Sequence, residues 1–339
     1  MSSALQFYMS TLLVYLGVSL IACWALNLQI GVTGVLNLGF IVFQALGAYT
    51  AAVLTLGTDT SNGGFQHYVF GAELPFPVPL LAAAGVGALA SAGLGSIGLR
   101  RLRSDYQAMV FLVAAIIATD VATNVTGLVN GAAGLSLVPQ PLSANVGLSP
   151  LDYQWFYVGL MAILCAVAFL LIRRLTLSPL GRSLRAVRDH EDAAEALGYN
   201  VYRLRLMVVV IGGALAAVSG AALVEFIGSW GPGSWFYQET FVYLAAVIIG
   251  GSGNNIGVAL GALIVPVALN ELPRFIPDFG GPGFVDAMRW VVIGVAILVF
   301  LYFRPQGIIP EKRNRFGLAG TVRHRWSGLA TRARVRLGR

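Results

Sequence analysis

Residues 204–228 read LRLMVVVIGGALAAVSGAALVEFIG, and the nineteen residues between Arg205 and Glu225 carry no charge. A helix of about twenty apolar residues, rising 1.5 Å each, matches a hydrocarbon layer about 30 Å thick. The stretch therefore reads as a membrane span. Gly212, Gly213 and Gly220 alternate with Ala214, Ala216, Ala217, Ala221 and Ala222, and small residues of this kind let helix backbones approach closely. Hinging during a conformational cycle is the second reading of the same glycines.

Outward from this stretch, similar runs recur at 7–28, 33–56, 77–99, 105–128, 154–172, 239–251, 255–273 and 285–303. The chain is 57% hydrophobic and 11% charged, where a soluble domain carries about 25% charge. The expected fold class is all-α: a polytopic integral membrane protein with about nine transmembrane segments. Segment 239–273 is the least regular, because Gly250-Gly251-Ser252-Gly253-Asn254-Asn255 interrupts it with turn-forming residues. The first basic residue is Arg100, so the first apolar run is expected to be a retained span and not a secretion signal.

The net charge is +7, and 10 of the 22 basic residues lie from Arg304 onward. Most of the others cluster at Arg100, Arg101 and Arg103 and within 173–205. Basic residues accumulate in cytoplasmic loops. The N-terminus is thus expected outside and the C-terminus in the cytoplasm. Trp155-Phe156-Tyr157 and Trp235-Phe236-Tyr237 are expected in aromatic belts at the outer face. The organisation reads as a membrane domain over 1–304, including a cytoplasmic loop at 173–205, and a basic tail over 305–339. The tail reads as a lipid-surface segment or as disorder.

The 173–205 loop contains GRSLRAVRDHEDAAEALG at 181–198, the densest charge in the chain. Ser178-Pro179 is a helix start, and Gly198 suits a helix end. Leu184, Val187, Ala194 and Leu197 fall near helical spacing, with Arg182, Arg185 and Arg188 beside them and Asp189, Glu191, Asp192 and Glu195 following. Two readings stand: a connector lying on anionic lipid, or a short helix that docks in a cleft of a cytosolic partner.

Asp192-Ala193-Ala194-Glu195-Ala196-Leu197-Gly198 resembles the EAA---G motif of ABC importer permeases, with Asp in the Glu position. The longer string SPLGRSLRAVRDHEDAAEALGYNVYRLRL (178–206) is similar to the matching loop of branched-chain amino acid permeases. GVTGVLNLGFIVFQALGAYTAAVL (31–54) and IIGGSGNNIGVALGALI (248–264) resemble other segments of that group, in the same order, and point to the longer of its two permease subunits. The resemblance implies half of a translocation path in an ATP-driven importer, with Arg182, Arg185, Arg188, Glu191, Asp192, Ala193, Ala194 and Gly198 in the ATPase-coupling loop. It implies as partners a second permease, two cytosolic ATP-binding subunits and an extracellular substrate-binding protein, besides membrane lipid. The group transports leucine, isoleucine and valine, but also urea and short amides.

A transport route needs polar groups within the membrane. The candidates are Asn37, Gln44, Asp120 and Asn124, with Thr119, Thr123, Glu225, Asn270 and Glu271 as further polar positions. Asp120 reads either as a path lining at the subunit interface or as a structural hydrogen-bond partner. Glu225 reads as reaching the outer interface. Asn130-Gly131-Ala132-Ala133-Gly134-Leu135 reads as an outer loop or as part of a surface for the binding protein. No GxxxxGK[ST] occurs and Lys312 is the single lysine, so this chain is expected to bind no cofactor and ATP is expected on partner subunits. The three histidines and two cysteines form no metal-binding or catalytic spacing, which argues against an enzyme. Clustered arginine next to spans argues against nucleic acid as partner. The alternative of another class is an ion- or proton-coupled secondary transporter using Asp120 or Glu225.

Overall fold

The computed structural model describes residues 3–57, 66–100, 104–142, 147–269, 271, 284–304 and 306–311. Asn270, Arg101, Arg103 and the basic tail from Lys312 lie outside these residues.

Helix α1 runs Ser3–Asn27 and continues as a π-helical turn, Leu28–Val32. After it come α2 (Ile41–Thr55), α3 (Val78–Gly98), α4 (Ser104–Asn124) and α5 (Pro150–Leu177). Two short helices follow, α6 (Pro179–Asp189) and α7 (Glu191–Ala196), then α8 (Val201–Ile227). The last part holds α9 (Gln238–Gly250), α10 (Asn255–Ala262, extended by a π-helical stretch Leu263–Leu269) and α11 (Phe284–Phe303). The described residues are helical apart from turns, the extended connections, an isolated antiparallel bridge between Tyr68 and Val129 and a two-residue antiparallel ladder that pairs Leu135 with Trp230 and Ser136 with Ser229.

Each expected span coincides with a helix, and among the described residues five helices are long and apolar enough to cross a membrane by length and composition: Ala4–Val32, Val78–Gly98, Ser104–Asn124, Pro150–Leu177 and Val201–Ile227. The 33–56 run becomes helical only at Ile41, and its 15 residues reach about 22 Å. The 13 residues of α9 reach about 20 Å. Both are half-helices inside the bundle. Residues 34–40 between α1 and α2 are not a regular helix, although Val35, Asn37, Gly39 and Phe40 are buried. Irregular backbone at membrane depth persists where protein covers it and partners satisfy it. Asn37 does this locally, accepting from Gly39 N–H at 3.1 Å and donating to Gln29 Oε1 at 2.9 Å.

The core is α1 and α8, each buried over 61% of its apolar span, against 22–28% for α3, α4 and α5. α8 packs along α2 and α3, and α1 along α5, α8 and α10. Glycine sets the closest crossing: a Cβ on Gly220 would fall on the carbonyl of Gln44, and one on Gly47 on that of Ala217. Burial within the two aromatic triplets is uneven. Trp155 and Phe236 are exposed, whereas Tyr157 and Trp235 are buried, donating to Ala222 O at 2.6 Å and to the Tyr49 hydroxyl at 3.2 Å. A buried aromatic with a polar tip keeps a hydrogen bond. Glu225 is likewise buried, beside Tyr153 and Tyr157, instead of reaching an interface.

Candidate coupling surface and transit path

The loop expected at 173–205 is a helical hairpin against one end of the bundle. Ser178 caps α6 by accepting from Gly181 N–H at 3.4 Å, with Pro179 in the first turn. His190, with φ −153° and ψ 100°, breaks the helix and starts α7. Gly198 has φ +86°. Its N–H donates to Glu195 O at 2.8 Å and Tyr199 N–H to Ala194 O at 3.1 Å. This is a Schellman closure, in which a glycine takes the left-handed position.

The hairpin has two faces. Leu184 packs with Leu28, Val32 and Val208, while Val187 and Ala194 pack with Val201. Ala194 therefore belongs to the inner seam. Leu197, read as part of the apolar face, is instead 77% exposed, because it follows the end of α7 and the chain has already turned. Arg182, Asp189, His190, Glu191, Asp192, Ala193, Glu195 and Gly198 are exposed with it. Glu191 takes a bidentate pair from Arg205 on α8, at 2.6 and 2.8 Å, which fixes α7 to the first turns of α8.

Arg185 and Arg188 point inward. Arg185 Nε donates to Glu311 Oε1 at 2.6 Å, and its guanidinium also donates to Thr176 O at 3.1 Å. Arg188 pairs with Glu311 Oε2 at 2.8 Å and with Asp189 at 3.3 Å, and donates to the carbonyl of Gly31 at the end of α1. The turn between α9 and α10 meets the same place. Asn27 accepts from Gly253 N–H at 2.8 Å and donates to Asn255 Oδ1 at 3.0 Å. Asn254 Nδ2 donates to Pro310 O at 3.2 Å. The sequence segments 31–54, 178–206 and 248–264 thus converge at one end of the molecule, a meeting that hydropathy does not reveal.

The four path candidates separate into two places. Asn37 and Gln44 are buried in the core. Asn37 is fully used in the break before α2. Among the described residues neither amide atom of Gln44 meets a partner at full hydrogen-bond geometry; the polar group it interacts with is the Tyr243 hydroxyl of α9. Ile41 N–H donates to Thr240 Oγ1 at 3.2 Å, so the first turns of α2 and α9 meet beside this amide. Thr240 was not singled out in the sequence, and a threonine in an apolar run gives little signal.

Asp120 and Asn124 lie on the exposed side of α4 with Ile117 and Val121. Asn124 Nδ2 donates to the backbone carbonyl of Asp120 at 2.8 Å, and Thr119 and Thr123 bond to their own helix backbone. Among the described residues the Asp120 carboxylate has no hydrogen-bond partner on a neighbouring helix, so the structural reading of this residue finds no support there. No group of three or more His, Cys, Asp or Glu among the described residues is placed to hold a metal.

Residues 8–301 match the family model described as the permease component of branched-chain amino acid transport systems. The high-affinity branched-chain amino acid permease LivM of Escherichia coli is 29% identical over 86% of this chain and 68% of its own. A LivM permease of Methanocaldococcus jannaschii is 26% identical over 89% of this chain and 93% of its own. The LivH permease of Salmonella typhimurium is 29% identical over 70% and 76%. No solved structure matches.

Proposed function

The chain belongs to the branched-chain amino acid permease family, as a multi-pass, non-enzymatic subunit of the longer, LivM-like kind, and from that premise we propose the following assignment. It forms half of the translocation path of an ATP-driven importer in a bacterial cytoplasmic membrane. A second permease completes the path, two cytosolic ATPases drive it and an extracellular binding protein delivers the substrate. Its termini lie outside and in the cytoplasm, in chain order, as the basic clusters require. Branched-chain amino acids are the expected cargo, on the strength of the names its relatives carry.

The observation that carries the assignment is the two-faced α6–α7 hairpin. Its apolar side is used up by packing on α1 and α8, so the outer side is free for a partner. Arg182, Asp189, Glu191, Asp192, Ala193 and Gly198 form the docking face. Ala194 supports it from beneath. Arg185 and Arg188 work behind the face, within this subunit. The path runs past Gln44 and the α2–α9 junction. Asp120 on α4 faces the second permease, because a carboxylate on an apolar helix face is costly against lipid.

Uptake into proteoliposomes that contain the purified complex tests the assignment. ATP inside the assay's cytoplasmic compartment is expected to drive leucine, isoleucine or valine accumulation, with the proton gradient collapsed. Uptake that follows the gradient and ignores ATP would replace this assignment with secondary transport. Uptake of urea or a short amide alone would keep the machine and change the cargo. In the same assay Asp120→Leu is expected to lower uptake several-fold while leaving the amount of folded subunit within about twofold, since the surface position costs little stability. Parallel loss of both would make Asp120 a structural residue.

A further inference from the structure

Glu311 follows α11 by eight positions and sits in a segment that no reading of the loop or of the path includes. The segment is nonetheless built into the bundle. Ile308 N–H donates to Ile249 O at 2.8 Å and Ile309 N–H to Gly250 O at 3.1 Å, so residues 308–309 lie along the end of α9. Pro310 O accepts from Asn254 in the α9–α10 turn. Glu311 then turns to the coupling hairpin and divides its carboxylate, Oε1 to Arg185 and Oε2 to Arg188. Its side chain is 17% exposed, and those of the two arginines 31% and 21%. The cytosolic hairpin and the half-helix α9 therefore have one charged residue in common.

We propose that Glu311 is a positioning residue of the coupling step: its carboxylate carries displacement of α6–α7 to the α9–α10 turn, and through α9 to the junction with α2. The proposal rests on the permease assignment above. The geometry gives the connection its content. A partner that pushes the outer face of α6 moves the arginines on its inner side. These arginines bond Glu311 through both oxygens, a short charge-assisted arrangement in which neither partner slides without losing a bond. Glu311 is one residue from the backbone that holds Asn254, and two from the ladder on Ile249 and Gly250. Arg188 also donates to the Gly31 carbonyl, so the same arginine ties the hairpin to the end of α1. At the far end of α9, Thr240 bonds the first residue of α2, and Gln44 lies one turn on. Transmission needs a contiguous set of rigid contacts between the two sites, and this set is contiguous.

The test uses the full transporter, with both permeases, ATPases and binding protein, in proteoliposomes. Glu311→Gln keeps the shape and removes the charge. The expected result is uptake reduced roughly tenfold, with ATP hydrolysis retained and complex assembly unchanged, so that more ATP is consumed per substrate imported. Glu311→Asp is expected to restore part of the coupling. Glu311→Gln combined with Arg185→Gln is expected to lose no more coupling than Glu311→Gln alone, as for two members of one connection. A merely structural role would lower assembly, hydrolysis and uptake together. That parallel loss, or unchanged coupling in Glu311→Gln, overturns the proposal. ATP-driven uptake by the unmutated complex is measured alongside, and its absence would overturn the permease assignment itself and this proposal with it.

Discussion

Gly220→Leu is expected to remove nearly all folded subunit from the membrane. Intrinsic propensity works the other way, since leucine is favoured over glycine in a helix by about 0.8 kcal/mol. Packing decides the sign. A Cβ at this position would fall on the Gln44 carbonyl, which is main chain and cannot rotate away as a side chain would. Overpacking of an ordinary core costs about 1–3 kcal/mol, and a backbone contact at the α2–α8 crossing lies at or above the upper end. Against a total stability of about 5–15 kcal/mol, the loss is large. The same crossing carries Gly47 against Ala217, so α2 has no second register to adopt. Size-exclusion profiles of detergent-extracted protein check this, with Gly220→Ala expected between the wild type and Leu. A monodisperse Leu variant at wild-type yield would show that α2 and α8 do not cross here.

Gly198→Arg is expected to separate function from folding. Nothing lies within 4 Å of a Cβ built at Gly198, so the side chain meets no wall and the bundle stays intact. The backbone is the difficulty, because φ is +86°. A left-handed conformation costs an L-residue about 1–2 kcal/mol, enough to open the closure made by Gly198 and Tyr199 on a helix of six residues. Leu197, Gly198 and Tyr199 would leave their positions on the docking face, and a cation would be added to it. Uptake is expected to fall by roughly tenfold or more, with the membrane level of the subunit retained. Gly198→Asn, which tolerates the left-handed region, is expected to keep most uptake. Undiminished uptake in the Arg variant would remove this turn from the docking face.

The positions of the helices were legible because apolar runs of span length are a strong signal. Their lengths were not. Val35, Leu36, Leu38 and Phe40 are as apolar as any helix, so hydropathy continues across the break at 34–40. The cue was Asn37 followed by Gly39, and the use of Asn37 depends on Gln29, eight residues away across a turn. The hairpin was legible at both ends, through Ser178-Pro179 and Gly198, and its inner seam in Leu184, Val187 and Ala194. The direction of the arginines was not. Spacing places Arg185 and Arg188 beside the apolar face, but what turns them inward is Glu311, 126 positions from Arg185, and no local pattern encodes a partner at that distance. Asp120 was found as an ionisable residue in a span, but its exposed position required the packing of α4.

The central claim is that the outer face of the α6–α7 hairpin receives an ATPase. Ala193 is exposed at its middle, while Cys23 is buried and Cys165 donates to the Gly17 carbonyl within the bundle, at 3.3 Å. A cysteine at 193 is thus the reactive thiol on this face. The measurement is cross-linking of Ala193→Cys in native membranes with a short bifunctional thiol reagent, with and without ATP, followed by mass spectrometry of the adduct. The predicted result is a single adduct with a Walker-motif ATPase whose yield changes with nucleotide, and no such adduct from a cysteine at Ala118 on α4. Adducts with lipid-surface or unrelated proteins only, independent of ATP, would contradict the claim and leave the hairpin as a connector on the membrane surface.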